Sequence, residues 1–175
     1  LKVDQLQIPI SFLILTEGWC GDASQSVPYI HKIAAESKGK IKDYYLLRDE
    51  NLELMNHFLT DGSKAIPKLI AFHSVTGDFL FSWGPRPTAI QNWYMNLKKD
   101  SSLSKEELSL QLHQYYTNDK GQKLQEDFIE LFNNTNNLNS INLEIKNKDK
   151  IKIILKKSTD DIFEFTLNEI PISRE

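Results

Sequence analysis

The chain has a single cysteine, Cys20, in 175 residues. One thiol excludes an internal disulfide and any cysteine-rich zinc or iron–sulfur centre, and makes a reducing compartment, the cytoplasm, the expected location. Charge of one sign is scarce as well: 21 Lys and Arg stand against 24 Asp and Glu, a net −3. Nucleic acid and anionic membrane surfaces, which need a concentrated basic face, are therefore not expected partners. Long apolar runs are missing. The longest, Ile8 to Leu15, is interrupted by Pro9 and Ser11, is too short to span a bilayer, and has no basic segment before it. The chain starts at Leu1 rather than Met, which is compatible with a segment upstream, such as a signal sequence. Seven glycines and six prolines are too few for a collagen-like or low-complexity chain. His31, His57, His73 and His113 show no metal-ligand spacing, and there is no glycine-rich phosphate loop, so neither metal nor cofactor is expected. His31 and His57 are read as helix-surface residues.

What remains is the pattern of an ordinary globular protein. "ISFLILT" (Ile10 to Thr16) is a continuous run of strand-favouring residues, as in a strand buried on both faces. Gly18 and Gly21 follow, and then Ala23, Val27, Ile30 and Ala34 recur at helical spacing. The pattern predicts a strand at Asp43 to Arg48, a helix at Glu50 to Leu59, and a hairpin over "IPKLIAFHSVTGDFLFSW" (Ile66 to Trp83) turning at Gly77-Asp78. Pro85 and Pro87 break the chain before a helix at Thr88 to Lys99, and the order is β-α-β-α-β-β-α. Ser104 and Glu107 have capping-box spacing at the start of a further helix through Leu108, Leu112 and Tyr115 or Tyr116. Leu124, Phe128, Leu131 and Phe132 mark the apolar face of the next one, and "NNTNNLNS" (Asn133 to Ser140) reads as a linker. Alternating runs at Ile141 to Ile145, Ile151 to Leu155 and Phe163 to Leu167 predict a three-stranded antiparallel meander. Its basic and acidic residues balance, and such a small sheet needs a surface to pack on, which makes a homodimer through the meander one expected association. Three units follow: 1–99, a helical extension at 100–135, and the β appendage at 136–175.

Chemistry concentrates in "TEGWCGDASQSVP" (Thr16 to Pro28). A cysteine at the first turn of a helix lies at the positive end of the helix dipole and near unpaired N–H groups, both of which favour the thiolate. Asp22, two positions on, opposes this by placing a negative charge beside the sulfur if it is ionised, and the sequence leaves the balance of the two effects open. Trp19 and Trp83 are candidates for a binding face or for packing, and Arg86 in "GPRP" either meets a carboxylate or phosphate or stays solvated.

"WCGDA" with Pro28 eight residues after Cys20, and "IPKLIAF" around Pro67, resemble the thioredoxin superfamily. There, Trp-Cys-Gly-x-Cys opens a helix carrying a proline at that offset. "TEGWCGDASQ", "LLRDENLELM", "WGPRP" and the tail "YYTNDKGQKLQEDFIELF" are similar more narrowly to a bacterial thioredoxin-like branch, and extend the resemblance to Phe132. It implies a three-layer α/β fold, a central mixed sheet flanked by helices, and a function related to thiol–disulfide oxidoreductases. It also implies Cys20 as the nucleophile, with Trp19, Gly21, Asp22, Ile66 and a cis Pro67 on the substrate side. The substrate would be a protein or peptide thiol or disulfide, or glutathione. Where dithiol members carry a second cysteine, this chain has Ala23, so the resolving step lacks an intramolecular thiol and only monothiol chemistry remains. The alternative is a non-catalytic protein-binding module that keeps the groove and associates through the meander.

Overall fold

The computed structural model describes residues 3–138, 151–156 and 162–167. The apolar run forms β1, Ile10–Thr16, and becomes an interior strand of a four-stranded sheet. On one side it pairs in parallel with β2, Ile41–Leu47, and on the other antiparallel with β3, Lys68–His73. β3 in turn pairs antiparallel with β4, Phe79–Trp83. The parallel pair needs a crossover, and α1, Gly21–Glu36, supplies it. The antiparallel pair needs only a turn, which residues 74–78 make around Gly77.

Alternation along the central strands sends side chains to two faces, and both are covered. Ile10, Phe12 and Ile14 of β1, with Leu69 and Ala71 of β3, share one core with Ile30 and Ala34 of α1. Leu13 and Leu15, with Ile70 and Phe72, face the other way and pack on Leu54 and Met55 of α2, Leu52–Asn56, and on Phe58. That double burial is why β1 reads as an unbroken apolar run.

α3, Thr88–Leu97, and α4, Lys105–Asp119, meet through Ile90, Leu112 and Tyr116, with Trp93 against Tyr115 at 4.9 Å between ring centroids. Ser104 caps α4 as the spacing predicts: its hydroxyl accepts from Glu107 N at 3.1 Å, and the Glu107 carboxylate accepts from Ser104 N at 2.8 Å. α5, Gln122–Leu138, lays Leu124, Phe128 and Phe132 into the core over Phe12 and Phe81. Gly121, in the left-handed region at φ +77°, makes the sharp turn between α4 and α5 and leaves room for a ring. A Cβ there would lie 2.5 Å from Cε1 of Tyr29 on α1.

Three local expectations differ. β2 starts two residues earlier than Asp43, because Ile41 is buried and the parallel register with β1 begins there, at Ile10. The helix expected over Glu50 to Leu59 is confined to α2, preceded by a 3₁₀ turn at Arg48–Glu50. Asn51 spends its side chain on the Leu47 carbonyl at 2.8 Å, a local bond that competes with a longer helix. Asn133 to Leu138 continue α5 where a linker is expected. Buried Thr135 satisfies its hydroxyl on the Leu131 carbonyl at 2.8 Å, so the polar stretch stays helical. Of the expected meander, β5, Ile151–Lys156, and β6, Ile162–Leu167, pair antiparallel. The run at Ile141 to Ile145 lies outside the described residues. No helix among those described is long and apolar enough to cross a membrane.

Gly84, just past β4, sits at φ +111°, and a Cβ on it would overlap the Pro67 carbonyl oxygen. Gly84→Ala is expected to lower unfolding free energy by about 2–3 kcal/mol, read from urea denaturation. Wild-type stability in that variant would mean that the two backbones are not apposed.

Candidate functional site

The turn that delivers Cys20 is closed by its own backbone: Cys20 N–H donates to the Glu17 carbonyl at 3.1 Å, and the Cys20 carbonyl accepts the first bond of α1 from Ser24 N at 3.1 Å. Cys20 is the N-cap of α1, in extended conformation at φ −82° and ψ 115°, so its side chain projects beside the helix start. The thiol is half-buried and donates to the Ile66 carbonyl at 3.4 Å. Ile66 and Pro67 are buried, and the bond between them is cis. Residues 46 apart in sequence are thus brought together because α1 starts, and β3 starts, at the same end of the sheet. Ala23 is buried on the first turn of α1, 5 % exposed.

Gly21 and Asp22 follow Cys20, but the Asp22 carboxylate does not confront the sulfur unopposed. Arg86 grips it with two nitrogens, Nη2 at 2.6 Å and Nε at 2.9 Å, and Tyr116 donates its hydroxyl at 3.0 Å. Both partners of the ion pair are largely buried, so the carboxylate charge is matched where water screens it least. Arg86 is fixed further by Gln91 Oε1 at 2.8 Å and by the face of Tyr94, 4.5 Å from the ring centroid. Of the two readings of Arg86, the carboxylate partner is the one realised. Burial, reinforced by the negative charge of Asp22, pushes the Tyr116 hydroxyl far above its ordinary range, so it stays a donor.

The two tryptophans part company. Trp19 is 67 % exposed at the lip of the site, with the Arg48 guanidinium 5.1 Å from its ring. Glu17 ties that lip to the next loop by accepting from Asp49 N at 2.9 Å. Trp83 packs instead: it is buried against Phe128 and donates its indole N–H to Asp127 at 2.7 Å. Asp127 also accepts from Thr88 N at 2.8 Å, anchoring the start of α3 to α5. Beside Pro67, the Lys68 amine is buried. It donates to Thr60 Oγ1 at 2.9 Å and to the Gly84 carbonyl at 3.4 Å, and burial pushes its pKa down although Asp61 pulls the other way.

A family model described as thioredoxin matches residues 1–101, more than half of the chain. The chain belongs to the thioredoxin family. The mixed sheet with helices on both faces is the thioredoxin-like α/β fold that the sequence leads one to expect. Among solved structures, a protein of unknown function from Pseudomonas aeruginosa is similar over 78 % of this chain and 71 % of its own, at 12 % identity and TM-score 0.54. An HIV 4E10 epitope-scaffold is similar over 63 % of this chain and 60 % of its own, at 14 % identity and TM-score 0.47. No curated protein matches the sequence.

Within the thioredoxin unit, Cys20, Gly21, Ile66 and Pro67 converge, Trp19 stands at the rim, and Asp22 is turned to Arg86. Two residues near this end of the fold escape sequence reasoning, Tyr116 and His113. Both come from α4, outside the matched unit, and only the packing of α4 brings them to the start of α1. Among the described residues, no three His, Cys, Asp or Glu side chains are grouped to hold a metal.

Proposed function

We propose that this thioredoxin-family protein carries a degenerate, single-thiol site in which Cys20 exchanges with disulfides of a protein, a peptide or glutathione. The observation that carries the reading is the setting of Cys20: the N-cap of a 16-residue helix, half-buried, with its sulfur on the Ile66 carbonyl beside Pro67. The first-turn N–H groups of α1 have no intrahelical acceptor and, with the helix dipole, favour a thiolate. The thiolate attacks one sulfur of a substrate disulfide; the Cys20–S bond forms, the substrate S–S bond breaks, and the other sulfur leaves as a thiolate. Ala23 supplies no second thiol, so an external thiol must attack the mixed disulfide and return Cys20. A lone thiol of this kind fits the reducing cytoplasm.

Ala23 also favours a second reading, in which the groove beside Pro67 and the exposed Trp19 hold a polypeptide without chemistry, and β5–β6 recruits a partner or a second copy. A disulfide-reductase assay on the wild type, Cys20→Ser and Ala23→Cys separates the two. The single-thiol reading expects slow, external-thiol-dependent exchange in the wild type and none in Cys20→Ser. Binding and cellular function that survive Cys20→Ser intact would instead establish the non-catalytic module.

A further inference from the structure

α1 and α5 face each other along matched stripes. On α1, Tyr29, Lys32, Ile33 and Glu36 stand at i, i+3, i+4 and i+7, and on α5 Gln125, Phe128, Ile129 and Phe132 repeat that spacing. Between them lies an open cavity of about 400 Å³, within the size range of small-molecule sites. Its floor is apolar: Phe128 is 1 % exposed and Phe132 fully buried, while Ile129 leaves 39 % of its surface in water at the rim. The turn into α5 sets one end. Gly121 lies against the Tyr29 ring, and Lys120, held in the left-handed region at φ +52°, lines the cavity beside it. From that end the two stripes run on to Glu36 and Phe132, about 10 Å along each helix.

Charge is graded along this groove. Lys120 adjoins Tyr29 and Lys32 follows it by one turn; both lysines are exposed, and neither ammonium has a partner among the described residues, nor has the Tyr29 hydroxyl. Glu36, the one carboxylate lining the cavity among those residues, stands at the far end. We infer that the α1–α5 groove binds a small amphipathic anion, a carboxylate on an apolar chain. The carboxylate sits among Lys32, Lys120 and the Tyr29 hydroxyl, and the chain covers Ile33 and Ile129 on its way to Phe132. A wholly apolar ligand would leave the cations and the hydroxyl unused, and a bare anion would leave the rings uncovered. None of these residues belongs to the Cys20 site, so the inference stands apart from the chemistry of the thiol.

The test is isothermal titration of the whole chain with octanoate, and with octan-1-ol, which keeps the chain and drops the charge. The wild type is expected to bind one octanoate saturably, with a dissociation constant on the order of 100 μM, and octanol more weakly. Lys32→Gln combined with Lys120→Gln is expected to weaken octanoate about tenfold, the loss of two exposed charge contacts, and to leave octanol unchanged. Ile129→Glu, which sets a carboxylate where the chain lies, is expected to weaken octanoate by about tenfold or more. Absence of saturable octanoate binding in the wild type would overturn the inference. So would octanol binding as tightly as octanoate, a double variant with wild-type affinity, or an Ile129→Glu chain that binds undiminished, which would put the ligand elsewhere. Positions 32, 120 and 129 are exposed, so thermal melts matching the wild type are expected in the variants and exclude a folding defect as the cause.

Discussion

Phe128→Ala is expected to remove about 3–5 kcal/mol of stability, although position 128 lies well beyond the thioredoxin unit at residues 1–101. The ring is 1 % exposed and touches four others: Phe12 at 5.9 Å, Phe81 at 6.4 Å, Trp83 at 5.6 Å and Phe132 at 5.9 Å between centroids. Three of those belong to the sheet, so the substitution opens a cavity between sheet and helix rather than at a surface. Neighbours held in T-shaped contacts cannot collapse into the space, and the lost packing adds to the lost transfer free energy. Urea denaturation of the two chains measures the difference. A cost under about 1 kcal/mol, the usual value for a surface change, would show that α5 is only loosely applied to the sheet.

Ala23→Cys is expected to create what the natural site lacks. Positions 20 and 23 lie one helical turn apart, where side chains become neighbours. A thiol at 23 would be an oriented intramolecular nucleophile, with an effective concentration far above that of a submillimolar external thiol. Turnover in a disulfide-reductase assay should therefore rise on the order of a hundredfold over the wild type. Since Ala23 is 5 % exposed, the added sulfur meets packed neighbours, and a stability cost of about 1 kcal/mol is expected with it. If both thiols titrate as free and turnover stays at the wild-type level, the two sulfurs do not meet, and Ala23 is not standing in a resolving position.

How much of this is legible in the sequence depends on whether the cause is local. β1 is read to the residue because double burial leaves an uninterrupted apolar run, and Ser104 with Glu107 is read because a capping box is completed within four residues. Asn133 to Leu138 are misread because asparagine-rich segments are poor helix formers on their own, and the burial of Phe132 and Thr135 holds that turn in α5. The site divides the same way. Cys20, Gly21, Ile66 and Pro67 stand out as motifs. The two-point grip of Arg86 on Asp22, 64 residues away, has no pattern to announce it, and it sets a cation against the carboxylate whose effect on the thiol the sequence leaves open.

The central claim is that Cys20 is a thiol made for exchange rather than a leftover. The folded wild-type protein, incubated with glutathione disulfide near neutral pH and read by mass spectrometry of the Cys20 peptide, tests it most directly against the same chain unfolded in denaturant. Helix-start stabilisation of the thiolate predicts that Cys20 forms the glutathione mixed disulfide faster in the folded protein, and that an added thiol releases it. A Cys20 that reacts in the unfolded chain but stays unmodified in the folded one would contradict the claim.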